Sequence, residues 1–353
     1  MKKTFTIFAL ALMAAFTVSA ETFTVSNNPE IPAQFTQITD AIASGNTHAG
    51  DTLLVAGSPT TYTGFTLNEP FVIIGAGIHN PHGYNTQVGS SSLSNTAGFS
   101  PSGSKLSGLI FTYSLTLNGD LGTHVLENVT IERCQMWYVV HFSGGNSNFN
   151  NDTIRNCIFQ NSDINFTDAS YSGVLLSNNL FDNYYIDQGT GADLSNVTLL
   201  NNVFINRQGN VFDAIHNIVV ENNIFFKSSP RGCNGCVFDH NTAWGTLTDT
   251  LPYGDNLGNE FNEVRDPQFV DYNTSDAGFT WNANYDFHLQ PSSDEIGTGK
   301  GSTDRGMYGG PSPVELGTNP SIPQMTEIIF TDNASSVKED GTLNVKFKAK
   351  KQN

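Results

Sequence analysis

Charge is scarce in this chain, and positive charge most of all. Only 14% of its 353 residues are charged, with 16 Lys+Arg against 33 Asp+Glu, for a formal net charge of -17. Together with 33 Gly and 14 Pro, this excludes a coiled coil or helical array, which would be rich in Ala, Glu, Lys and Leu. The shortage of Lys and Arg excludes nucleic acid as the main partner, because binding phosphate backbones depends on basic side chains. It also disfavours an unassisted grip on a polyanionic glycan. Neutral sugars, cations and proteins stay open. The hydrophobic fraction of 38% is too high for a disordered chain.

Long apolar runs are missing too. The one candidate, Phe5 to Val18, falls short of the roughly 20 residues needed to span a bilayer, so no transmembrane segment is expected. With Lys2 and Lys3 before it and Val18-Ser19-Ala20 after it, the run reads as a secretory signal peptide over residues 1–20. The protein is therefore expected to be secreted, whether extracellular, periplasmic or at the cell surface. Removing two lysines leaves a mature charge of 14 - 33 = -19.

Cysteine is also sparse: Cys134, Cys157, Cys233 and Cys236. A single Cys-x-x-Cys is weak evidence for zinc, and nothing around Cys233 and Cys236 reads as a βαβ redox domain. A loop disulfide or two free thiols is expected there, since export permits disulfides.

Asparagine, by contrast, is abundant, at 39 residues. It disfavours helix interiors and suits turns, which points to an all-β chain. Repeats make this specific. LENVTIERCQM (126–136), NDTIRNCIFQN (151–161), GVLLSNNLFDN (173–183), NVTLLNNVFIN (196–206), NIVVENNIFFK (217–227) and GCVFDHNTAWG (235–245) share one pattern. β-type residues alternate, a polar pair follows, then an apolar pair. The second residues of the polar pairs are Cys134, Cys157, Asn179, Asn202, Asn223 and Asn241, in steps of 23, 22, 23, 21 and 18. A period near 22 fits three short strands and three turns, one coil of a parallel β-helix. Stacked about 4.8 Å apart, the anchor asparagines would form an internal amide ladder. Cys134 and Cys157 would be neighbours in it. Stacking does not set a disulfide torsion, so buried free thiols are expected ahead of a bridge.

At the N-terminus, Phe35, Ile38 and Ile42 fall at helical spacing. This predicts a short capping helix, followed by GDTLLVAGSPTTYTGF and FVIIGAG. That order resembles the pectin-lyase-like, right-handed parallel β-helix superfamily. NEFNEVRDPQFV (259–270), Asp286–Pro291 and Thr303–Gly310 resemble the closing coil of secreted bacterial members. The resemblance implies a right-handed parallel β-helix over residues 21–315, about ten coils long. Residues 316–353 read as a terminal hairpin or strand pair, with a sorting signal as the alternative.

Superfamily members that act on glycans use an outer-sheet cleft. Their lyases carry an Arg or Lys base with Ca²⁺, and their hydrolases carry two carboxylates. None of those motifs stands here, so no catalytic residue carries over. Residue by residue, the candidates lie after the anchors. His141, Asn165, Asp187 and Asp213 would share an outer face, with Arg207 and His216 near the same rungs. Asp187 and Asp213, one coil apart, would bind Ca²⁺ or form an acid pair with a raised pKa. The alternative is a plain solvated ladder. Trp137, Tyr138, Tyr184 and Tyr185 sit in turns where exposed rings would stack on sugars, although alternation would send half of them inward. Asp271–Asp276 resembles the start of an EF-hand loop but lacks its Gly and final Glu. Two functions are expected: a secreted or cell-surface protein binding a polysaccharide or cell-surface glycan without catalysis, or a polysaccharide-active enzyme. For an enzyme, a uronic-acid polysaccharide lyase is expected ahead of a glycoside hydrolase.

Overall fold

The structure is a computed structural model. It describes residues 20–79, 83–96, 98–119, 125–144, 147–167, 169–207, 209–245, 262–271 and 285–314, and the backbone of strands Gln324–Phe330 and Val345–Lys350. Residues 1–19 of the expected signal peptide at 1–20, and residues 272–276 of the EF-hand-like tract, lie outside the described residues. The chain forms an all-β parallel solenoid of about eight turns. No helix among the described residues is long and apolar enough to cross a membrane.

Three parallel sheets run the length of the stack, with 12, 9 and 7 strands. One coil runs Thr153–Arg155 in sheet 1, Ile158–Gln160 in sheet 2 and Ile164–Phe166 in sheet 3. Like positions pair from coil to coil, as in Ile131↔Ile154, Phe159↔Phe181 and Phe142↔Phe166. Inside, Phe159, Phe181, Phe204 and Phe225 stack with ring centroids 4.5, 4.7 and 4.8 Å apart. Each is almost wholly buried. Truncating such a core ring typically costs about 3–5 kcal/mol.

The polar pair does two jobs at the corner between sheets 1 and 2. Its second residue turns inward. Asn202 donates its backbone N–H and its Nδ2 to Asn223 Oδ1 (2.8 and 2.9 Å), and Nδ2 also reaches Leu176 O at 2.9 Å. Asn179, Asn223 and Asn241 repeat this geometry. The ladder runs on to Asn262, one rung beyond the sequence reading, and begins where the Cys157 N–H donates to Asn179 Oδ1. Cys134 and Cys157 are free and buried, and Cys233–Cys236 is a disulfide.

The first residue of each pair makes the bend. Arg133, Asn156, Asn178, Asn201, Asn222 and His240 all have φ between 54° and 58°. Asparagine tolerates this left-handed region better than other non-glycine residues. Asn128, Asn151 and Asn217, and Asn161, Asn183 and Asn206, turn other corners in the same way. Among the described residues, ten asparagines thus turn corners and five form the ladder.

Two expectations need correction. The short helix forms over Ile38–Ile42, burying Ile38 and Ala41, but Phe35 lies outside it. Phe35 instead bridges Val25 on the free edge of strand Thr22–Val25. The C-terminal tract is also not a closing coil. Among the described residues of this tract, only Glu263–Val264 joins sheet 2. Residues 285–314 turn back and lie as a strap across the outside of sheet 2, which is why there are fewer coils than expected. Ile110, Ile158, Leu180, Val203, Ile205, Ile224 and Phe226 face outward there and pack against Phe269, Phe287, Met307 and Val314. The corner asparagines hold the strap backbone. Asn156 Nδ2 donates to Ser312 O, Asn178 Nδ2 to Met307 O and Gly309 O, and Asn201 Nδ2 to Asp304 O and Gly306 O, all at 2.8–3.2 Å. The terminal strands Gln324–Phe330 and Val345–Lys350 pair antiparallel.

Candidate functional site on sheet 3

Sheet 2 is covered by the strap, whereas sheet 3 carries a polar outer row. Alternation along each short strand sends Leu115, Leu117, Val140, Phe142, Ile164 and Phe166 into the core and the residue between each pair outward. Register then lines up Thr66, Ser92, Thr116, His141, Asn165, Asp187 and Asp213, one per rung. The four residues expected to share this face do share it. The row grades from hydroxyls at the N-terminal end to carboxylates at the other.

Asn165 Nδ2 donates to Asp187 Oδ2 at 3.1 Å. Asp187 is raised above the usual carboxylate range, first by burial and then by the Asp213 charge beside it. His141 sits two rungs from Asp187, about 10 Å along the stack, too far for a direct contact with the acid pair. Arg207 lies over the Tyr185 ring at 5.0 Å and donates through Nε to Asn210 O at 3.1 Å. His216 belongs to a separate two-stranded pairing, Ile215–His216 with Cys233–Asn234, and its backbone N–H donates to Gln188 Oε1.

The sequence reading missed Asp163. Its carboxylate accepts from the Tyr185 N–H at 3.2 Å. Burial raises its pKa, the Tyr185 N–H and Arg207 oppose this, and Asp187 adds to it. Tyr185 is raised in turn, chiefly by Asp163. Among the described residues no group of three or more His, Cys, Asp or Glu could hold a metal ion, so Asp187 and Asp213 would bind Ca²⁺ only with amide, carbonyl or water oxygens beside them.

None of the four aromatic candidates points inward. Trp137 and Tyr138 are exposed, and Tyr184 and Tyr185 are half-buried. Turn residues leave the strict alternation of the strands, so the expectation that half would be core fails. Tyr184 donates to Asn161 Oδ1 at 3.1 Å. Tyr138 stacks on Tyr113, with ring centroids 5.6 Å apart and planes 15° apart. The Leu115↔Val140 register puts the two tyrosines in the same turn of successive coils. They are 53% and 58% exposed. Tyr113 was legible in principle, since it stands 25 residues before Tyr138, close to one coil.

No protein-family model matches this chain, and no curated protein matches it by sequence.

Proposed function

We propose that the protein is exported and binds an extended neutral glycan along the outer face of sheet 3, at the cell surface or outside the cell. The observation that carries this reading is the exposed Tyr113–Tyr138 stack beside the in-register polar row. Two parallel rings held in water present apolar faces with polar tips, and the row supplies hydroxyl, imidazole, amide and carboxylate groups at rung spacing. A ligand with alternating C–H faces and O–H groups fits both. The acidity of the chain supports a neutral glycan over a polyanion. The basic, apolar and small-residue order of positions 1–20 supports export.

The Asp187–Asp213 pair favours a second reading, glycan cleavage. A carboxyl raised by burial and a like-charged neighbour suits a proton donor. Arg207 is engaged by Tyr185 and Asn210, which favours hydrolysis over the lyase reaction expected from the resemblance.

One experiment addresses both. Affinity electrophoresis against neutral and uronic-acid polysaccharides should show retardation by a neutral glycan, weakened about tenfold or more by Tyr138→Ala. Equal retardation of the variant would remove the aromatic platform from the site. Product analysis of the same incubations reads turnover: new reducing ends lost in Asp187→Asn support cleavage, unsaturated products support a lyase, and binding without either leaves the non-catalytic reading.

A further inference from the structure

A second cluster of polar groups lies on the opposite side of the stack, where the strap meets sheet 2. Residues 287–289, 304–306, 308 and 313–314 of the strap line a cavity of about 170 Å³ over Ile224. Phe287, Leu289, Pro313 and Val314 form its apolar walls, and His288, Asp304 and Tyr308 are its polar lining. The imidazole of His288 stacks on the Tyr308 ring, centroids 3.6 Å apart and planes 16° apart. Its Nδ1 is held by Asp286 Oδ1 at 2.6 Å, which fixes the ring and leaves Nε2 at the opposite edge. The Tyr308 hydroxyl makes no hydrogen bond to another described residue, although burial raises its pKa.

The Asp304 carboxylate accepts from the Gly297 N–H at 2.8 Å, whereas the partly exposed His288 ring and the Tyr308 hydroxyl stand beside the apolar walls at one small space. We propose that this cavity is a ligand site, independent of sheet 3, for a small neutral polyol such as a single sugar ring. The volume equals about five or six waters at roughly 30 Å³ each, room for one ring and too little for a chain. Imidazole Nε2 and the phenol oxygen both accept hydrogen bonds, so the ligand supplies O–H donors. The apolar walls take its C–H face. Arg305, also in the lining, pairs with the buried carboxylate of Glu295 at 3.3 Å, so Asp304 and Asp286 leave the site repelling small carboxylates.

The test is saturation-transfer NMR on the full chain with glucose and galactose, and with acetate and methylamine as charged probes. Transfer to a sugar that persists in Tyr138→Ala and weakens about tenfold in Tyr308→Phe supports the site. That variant keeps the ring and its stacking and removes only the hydroxyl, for which a tenfold loss corresponds to about 1.4 kcal/mol. No transfer to either sugar, transfer to acetate or methylamine only, or unchanged affinity in Tyr308→Phe overturns it. Sugar transfer abolished by Tyr138→Ala also overturns it and assigns the binding to sheet 3, so the two readings fail separately.

Discussion

Among the described residues, Asp152 has a buried side chain that conflicts with its surroundings. It is 1% exposed, its Oδ1 accepts from the Val129 N–H at 2.8 Å, and its Oδ2 has no hydrogen-bond partner. Burial, opposed by the Val129 N–H and reinforced by Glu127, pushes its carboxyl up to about 8. The sign of the linkage follows. Between about pH 4 and 8 the unfolded chain has released this proton and the folded chain holds it, so stability falls as pH rises through that window, and the whole penalty stands above it. A shift of about 4 units at about 1.4 kcal/mol each is on the order of 5 kcal/mol. Asp152→Asn keeps the Oδ1 acceptor and cannot ionise. Urea midpoints at pH 5 and pH 9 should therefore show the wild type losing several kcal/mol more than the variant. Parallel curves would mean that Asp152 is ionised in the fold at both pH values.

At the scale of the element, the coil was legible because it repeats. Like residues stack on like, so the anchor steps near 22 expose the strands, their register and the shared face of His141, Asn165, Asp187 and Asp213. The strap was not legible, because residues 285–314 have no period and their partners lie 60 to 160 positions away. A signal was nevertheless present. Val203-Phe204-Ile205 and Ile224-Phe225-Phe226 are apolar at three successive positions, which alternation forbids for a sheet with one wet face and which marks a sheet buried on both sides. The turn aromatics misled for the opposite reason, since the period of two ends where the strand ends. At Gly306 the strap lies close against sheet 2. This glycine has φ +80, and a Cβ there would lie 2.7 Å from Ile224 Cδ1 and 3.1 Å from Val203 Cγ2. Gly306→Ala should destabilise strap docking by about 1–3 kcal/mol, read as faster exchange of the Asn178 and Asn201 side-chain amide protons. Unchanged exchange would show that docking does not depend on this contact.

The whole molecule is a one-dimensional stack whose stability sums over coils and the interfaces between them. A lost interface therefore matters according to where it lies. Asn202 is fully buried in mid-ladder. It accepts from the Asn179 N–H and Nδ2 and donates to Asn223 Oδ1 and Leu176 O. Asn202→Ala leaves the Asn179 N–H without its acceptor in a dry interior, takes one of two acceptors from Asn179 Nδ2, which keeps Ile154 O, and removes a donor from Leu176 O, at about 1–3 kcal/mol per orphaned group. It also weakens the joint that both halves of the stack share. Asn262, near the last described rung, is only half-buried and donates to Phe238 O at 2.8 Å, and water can reach it. Asn202→Ala should lower the unfolding free energy by more than about 3 kcal/mol and speed amide exchange on both sides of the break. Asn262→Ala should cost about 1–2 kcal/mol and loosen only neighbouring coils. Urea unfolding with site-resolved exchange separates the two. Equal costs would mean that the strap along sheet 2, and not the ladder, holds the coils together.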